Sequence, residues 1–287
     1  MALVGRRSKV RIRCVLAALA VIALSLTCSA AGADGLFTFH SRTIDARAGL
    51  SNFHRVVVIG KDNRQTLTEY AKAKHILLLD INRKFSPTGL FSCEGQWATG
   101  QLTGANNIVT TASHVFHDKN CKKYQSVKHC FFKPVNSKRR CSVDLSSLIF
   151  GCDPDFIDKD WAVAKLDRPV ENTNFYDVPL PYIVIPEHQP ITQVSYLHKN
   201  FKQKGNYPPT AQDCMVRAEQ RATYLHDCDT GGGSSGSAQL IGNTLVGINV
   251  GECVCDDNRS EFSEKYWNIG VPLRGEFLSS IKKLLGE

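Results

Sequence analysis

Short β-branched and apolar runs, each stopped within a few residues by a turn former, recur along this chain. Val56-Val57-Val58-Ile59 ends at Gly60, and Ile76-Leu77-Leu78-Leu79 is a second apolar run. Residues 96–102 alternate in part, and Asn107-Ile108-Val109-Thr110-Thr111-Ala112 is rich in β formers. At Asp160-Trp161-Ala162-Val163-Ala164-Lys165-Leu166 an aspartate opens another apolar strand. Repeated short strands in a chain of 287 residues predict a sandwich or barrel. Helical periodicity is sparse until the C-terminus. There Phe277, Leu278, Ile281, Leu284 and Leu285 share one face, which predicts a helix from Gly275 packed on the β structure. Residues 34–55 carry no clear period and read as a prosegment or a strap.

The N-terminus has a different pattern. Arg6, Arg7, Lys9, Arg11 and Arg13 precede an apolar run from Cys14 to Leu26, and Ala31-Gly32-Ala33 follows. Basic residues, an apolar run and an A-x-A end are the marks of a cleaved export signal, here residues 1–33. Cleavage after Ala30 or Ala31 fits nearly as well. An uncleaved anchor is the alternative, because residues 14–33 are uncharged and just long enough to span a bilayer. The expected location is secreted or periplasmic, with no membrane partner once the signal is removed. The leader also explains most of the formal charge of +8. Without its five basic residues Lys plus Arg falls from 35 to 30 against 27 Asp plus Glu, leaving +3. That excess is too small to argue for a nucleic-acid partner.

Export changes the meaning of the cysteines. Eleven less Cys14 and Cys28 leaves nine, expected to be mostly disulfides in an oxidising compartment. Cys214 and Cys228 flank the segment leading into the glycine-rich turn, so a bridge is predicted between them; Cys93 with Cys121 and Cys130 with Cys141 are further candidates. No C-x-x-C pair occurs, and His114-Val-Phe-His117 lacks the i,i+4 spacing of two ligands on a helix face. No metal or cofactor is expected.

Three stretches carry chemistry. In Cys228-Asp229-Thr230-Gly231-Gly232-Gly233-Ser234-Ser235-Gly236-Ser237-Ala238 a serine sits in a glycine-rich turn. Taken alone this is either a Gly/Ser linker or a nucleophile turn whose small neighbours let a carbonyl approach. A strand at 108–112 delivers His114, a side chain able to take and return a proton near neutral pH. Asp160 opens the third stretch. The order His, Asp, Ser is that of one of the unrelated triad folds.

Each stretch also resembles a motif of the chymotrypsin-like serine peptidases. Thr111-Ala112-Ser113-His114 resembles T-A-A-H, Asp160–Leu166 resembles D-I-A-L-x-K-L, and Gly233–Ala238 resembles G-D-S-G-G-P. Thr230 with Ser235-Gly236-Ser237, and Gly60-Lys61-Asp62-Asn63-Arg64, look like the bacterial branch that includes the glutamyl endopeptidases. The resemblance covers about 56–287. It implies an all-β fold of two antiparallel six-stranded barrels with the active site between them, followed by the terminal helix. Residues 56–173 would form the first barrel and 174–287 the second. It implies a peptide-bond hydrolase working through an acyl-enzyme, with Ser235 as nucleophile, His114 as base and Asp160 as its charge partner. The N–H groups of Gly233 and Ser235 would hold the oxyanion.

Substrate contacts would come from Asp229, Thr230, Asn249 and Gly251, the last two on a strand beside the specificity pocket. Counting back from Ser235, Asp229 falls at the pocket floor of trypsin-like enzymes and would favour a basic residue before the cut. Its alternative role is to bond turn amides. Two departures stand out: Ser234 replaces the aspartate of the zymogens, and Asn249 lies where glutamyl-specific relatives carry a histidine nearby. The expected partner is a polypeptide substrate. A catalytically inactive secreted binding protein of the same fold is the alternative function.

Overall fold

The computed structural model describes residues 57–287 apart from 119, 124–128, 136, 154–156, 182, 198–207, 221, 255–261 and 263–265. The leader and residues 34–55 lie outside the described residues.

A stretch without regular structure, 57–64, leads into a two-residue strand, β1 (Gln65–Thr66), and two short helices, α1 (Leu67–Lys74) and α2 (Leu78–Lys84). Six strands then close into the first barrel: β2 (Thr88–Cys93), β3 (Gln96–Leu102), β4 (Ile108–Thr111), β5 (Cys130–Pro134), β6 (Cys141–Phe150) and β7 (Ala162–Leu166), joined in the order β2-β3-β4-β7-β6-β5. Six more make the second: β8 (Pro190–Tyr196), β9 (Pro209–Gln220), β10 (Thr223–His226), β11 (Ala238–Ile241), β12 (Thr244–Val254) and β13 (Tyr266–Pro272). Their order is β9-β10-β13-β12-β11-β8, and β8 pairs back onto β9 to close the ring. The predicted all-β fold of two antiparallel six-stranded barrels is the one observed, and α3 (Gly275–Leu285) ends the chain.

The sequence pattern explains these elements. β5 alternates buried and half-buried positions, as a strand with one face on a core must. All six positions of β2 are buried. Phe91, Leu102, Phe116 and Phe132 fill the first barrel. The predicted helix face of α3 docks as expected: Phe277, Leu278 and Ile281 are buried, and Phe277 stacks on Trp161 at 5.0 Å. Gly286 ends the helix at φ 88°, a left-handed cap that glycine adopts without strain.

Two segments depart from the expected strands. Leu78 and Leu79 open α2 instead of lying in a strand, and Leu77 is 72% exposed in the turn before it. The helix signal stood just upstream: Thr66 and Glu69 form a reciprocal capping box that starts α1. The run at 57–59 is a strap and not a strand. It bonds to the second barrel, with Thr230 N–H donating to the Val57 carbonyl at 2.8 Å. β1 likewise pairs with β9, so the first barrel begins at Thr88 and not at residue 56.

The bridge between Cys214 and Cys228 is present. The other two candidate pairings are not. Cys93 joins Cys130, its direct register partner across β2 and β5, and Cys121 joins Cys152. Cys141 is a buried free thiol. The Cys214–Cys228 bridge closes a 14-residue separation immediately before the glycine-rich turn. Replacing both with alanine is expected to lower unfolding stability by about 3 kcal/mol. Denaturant titration of the two proteins measures this; equal midpoints would show that the bridge contributes nothing.

Candidate active site

Antiparallel pairing of β4 with β7 sets Thr111 opposite Ala162. The end of β4 and the start of β7 therefore share one rim of the first barrel. His114 stands three residues past that end, in a single 3-10 turn, Ser113–Val115. Asp160 stands two residues before the start of β7. Ser235 comes from the other barrel, in the turn between β10 and β11.

The structure brings all three together. His114 Nε2 lies 2.9 Å from Ser235 Oγ, and His114 Nδ1 lies 2.7 Å from Asp160 Oδ2. Asp160 Oδ1 accepts from the N–H groups of Ser113 and His114, at 2.8 and 2.9 Å, and from Ser113 Oγ at 2.9 Å. Burial opposes charge on both His114 and Asp160, but their mutual attraction and hydrogen bonds outweigh it. The His114 pKa is raised and the Asp160 pKa is lowered. The ion pair keeps an opening to solvent on the histidine side, where the side chain is 25% exposed.

First-barrel residues hold the serine turn. Thr99 N–H donates to the Ser235 carbonyl at 2.8 Å, and Thr99 Oγ1 donates to the Gly233 carbonyl at 2.7 Å. Gly236 has φ 75°, and a Cβ there would sit 2.3 Å from the Thr99 carbonyl oxygen. This glycine is required by close packing on β3 as well as by its backbone angle. Ser234 is buried, and its hydroxyl accepts from Gly231 N–H at 2.8 Å. Gly233 and Ser235 N–H groups have no acceptor among the described residues.

The expected substrate contacts fare differently. Asp229 does not face a pocket: Oδ1 accepts from Ile59 N–H at 2.8 Å and Oδ2 from Asn63 N–H at 2.6 Å. Both oxygens are spent on the strap and not on a pocket floor, so the carboxylate does not supply the basic preference expected from its place in the sequence. Thr230 is buried, its hydroxyl donating to Asn268 Oδ1 at 3.0 Å. Asn249 is also buried and gives its amide to the Ser234 carbonyl at 3.2 Å. It braces the serine turn in place of the expected substrate contact. Gly251 lies on β12 just past a register shift that begins at Asn249.

Burial lifts the Asp229 carboxyl to about 6, against the pull of the two backbone N–H bonds. Its folded value lies above the ordinary value of about 4, so its stabilisation is complete below about pH 4 and is lost as pH rises through 6. The unfolding free energy of the wild type relative to Asp229→Asn should fall by about 1–3 kcal/mol across that window. A difference that stays constant from pH 4 to 7 would remove Asp229 from the pH response.

Two closed six-stranded barrels with a histidine and aspartate on one rim and a serine from the other define a chymotrypsin-like serine peptidase. Residues 81–268 match the trypsin family, and the chain belongs to it. A Glu endopeptidase solved with MPD is similar in structure, with 18% identity and a TM-score of 0.62 over 80% of this chain and all of that one. The protease Anisep from Arthrobacter nicotinovorans aligns at 14% identity and TM-score 0.53, over 70% of this chain and 96% of its own. The scabies mite inactivated protease paralogue S-D1 gives the same identity and TM-score over 80% and 97%. No curated protein matches the chain. The protein is a serine protease, and its substrates are polypeptides.

Sequence reading missed Ser113 and Thr99. Ser113 was signalled by its place beside His114, where the family motif carries alanine. Thr99 gives no local sign, since its side-chain bonds to the Gly233 carbonyl and the Tyr196 N–H reach 134 and 97 residues along the chain.

Proposed function

We propose that this is an exported serine endopeptidase with Ser235, His114 and Asp160 as its catalytic triad. The single observation that carries the reading is the unbroken run of contacts from Ser235 Oγ through His114 to Asp160, at 2.9 and 2.7 Å. His114 Nε2 takes the proton as Ser235 Oγ attacks the substrate carbonyl, while Asp160 holds the Nδ1 proton and stabilises the imidazolium. The Gly233 and Ser235 N–H groups bind the developing oxyanion. His114 then passes its proton to the leaving amine, and water hydrolyses the acyl-enzyme. Fold alone does not supply activity, as the inactivated mite paralogue illustrates. Export is supported by the leader pattern and by three disulfides among the described residues.

A serine-directed fluorophosphonate should label the purified protein at Ser235; an unlabelled, folded protein would overturn the reading. The pH profile gives a separate check. Asp160 raises the His114 pKa despite burial, so activity should rise as pH passes a midpoint above that of a free histidine. A flat profile between pH 5 and 8 would exclude a histidine base.

A further inference from the structure

Behind Asp160 lies a buried line of contacts that the mechanism above does not use. Ser113 Oγ is 2.9 Å from Asp160 Oδ1 on one side and 2.9 Å from His117 Nε2 on the other. His117 Nδ1 is 2.8 Å from the Asp118 carbonyl oxygen and 3.4 Å from the bridged sulfur of Cys152. Both residues are buried, and the His117 ring stacks on Phe150 at 5.5 Å.

Proton counting makes this line a two-way device. Nδ1 faces only acceptors, a carbonyl and a disulfide sulfur, so it keeps a proton in either charge state of the ring. The Ser113 hydroxyl has one proton and two claimants. When His117 carries only the Nδ1 proton, the Nε2 lone pair accepts from Ser113, and Asp160 Oδ1 keeps just its two backbone donors. When His117 carries both, Nε2–H donates to Ser113 Oγ, and the serine proton turns to Asp160 as a third donor. A carboxylate with an extra donor is a weaker partner for the His114 imidazolium.

We propose that Ser113 and His117 are positioning residues for Asp160, and that the number of protons on His117 decides which way the Ser113 hydroxyl donates. The proposal rests on the reading of Asp160 and His114 as charge partner and base. Other ionisable groups border the ring. The Asp118 carboxylate is turned to the N–H groups of Asn120 and Lys122. Lys123 pairs with His117 through the backbone and sets its ammonium over the Phe150 ring at 5.3 Å. Asp153 adjoins Cys152 in sequence, and Asp160 and His114 are reached through Ser113.

The test is an NMR titration of the ¹⁵N-labelled protein. It follows the His114 Nδ1–H resonance, which reports on the bond to Asp160, alongside the His117 ring. In the wild type the His114 resonance should show a second inflection at the His117 midpoint. In Ser113→Ala that inflection should vanish, with the His114 midpoint at or above the wild-type value, because Asp160 Oδ1 then keeps only its two backbone donors at every pH. In His117→Phe, which keeps the stack on Phe150, Ser113 has Asp160 as its one remaining acceptor. The second inflection should again vanish, with the His114 midpoint at or below the wild-type value. A wild type without the second inflection, or an inflection that persists in Ser113→Ala, overturns the proposal. These readouts are ring resonances and not turnover. A protein with both inflections but no fluorophosphonate labelling would sink the proposed function and leave this coupling intact; a labelled protein without them would do the reverse.

Discussion

Ser235→Ala is expected to lose fluorophosphonate labelling entirely and to reduce turnover by ~10⁴-fold or more. The fold should survive, because the described side-chain bond of Ser235 is the one to His114 Nε2. Circular dichroism and the unfolding midpoint should match the wild type. Ser234→Ala is the control. Its hydroxyl faces Gly231 N–H, so the expected loss is about 1 kcal/mol of stability with labelling retained. Peptide mapping of the labelled wild type decides the register: a label on Ser234 would move the nucleophile by one residue.

Asp160→Asn should be nearly as damaging, lowering kcat by ~10⁴-fold near neutral pH. The reason is tautomer control. Asp160 Oδ2 holds the His114 Nδ1 proton, which leaves Nε2 free to accept from Ser235. An amide nitrogen turned to Nδ1 favours the opposite tautomer and removes the charge that stabilises the imidazolium. The two backbone donors on Oδ1 keep the side chain in place, so KM should change only a few-fold while kcat and labelling rate fall together. A variant within ten-fold of wild-type kcat would show that Asp160 is dispensable.

Much of this site was legible in the sequence because each component is local. A strand end carries His114, a strand start carries Asp160, and small residues surround Ser235. Strand pairing then brings short motifs to one rim without further information. Failures came where contacts are long-range. Counting back from Ser235 placed Asp229 in a pocket, but its orientation is set by Ile59 and Asn63, 170 and 166 residues away. The Cys93–Cys130 pairing follows from register across β2 and β5, which spacing between cysteines does not encode. The run at 76–79 misled for a different reason. Four apolar residues fit a strand or a helix start equally, and the capping box at Thr66 and Glu69 was the better guide.

Thr99 gives the molecule a built-in safeguard. Ser235 is encoded in the second barrel, yet the carbonyls on its turn are gripped by a residue of the first, which also accepts from Tyr196 N–H. On the proposed triad, neither barrel folded alone contains a working centre: one lacks Ser235, and the other lacks both His114 and the Thr99 clamp. A half-finished chain would then be harmless to its neighbours and to its own copies. On that reading hydrolysis needs both barrels in place, and a stopped-flow refolding record should show no peptide cut before both have regained structure.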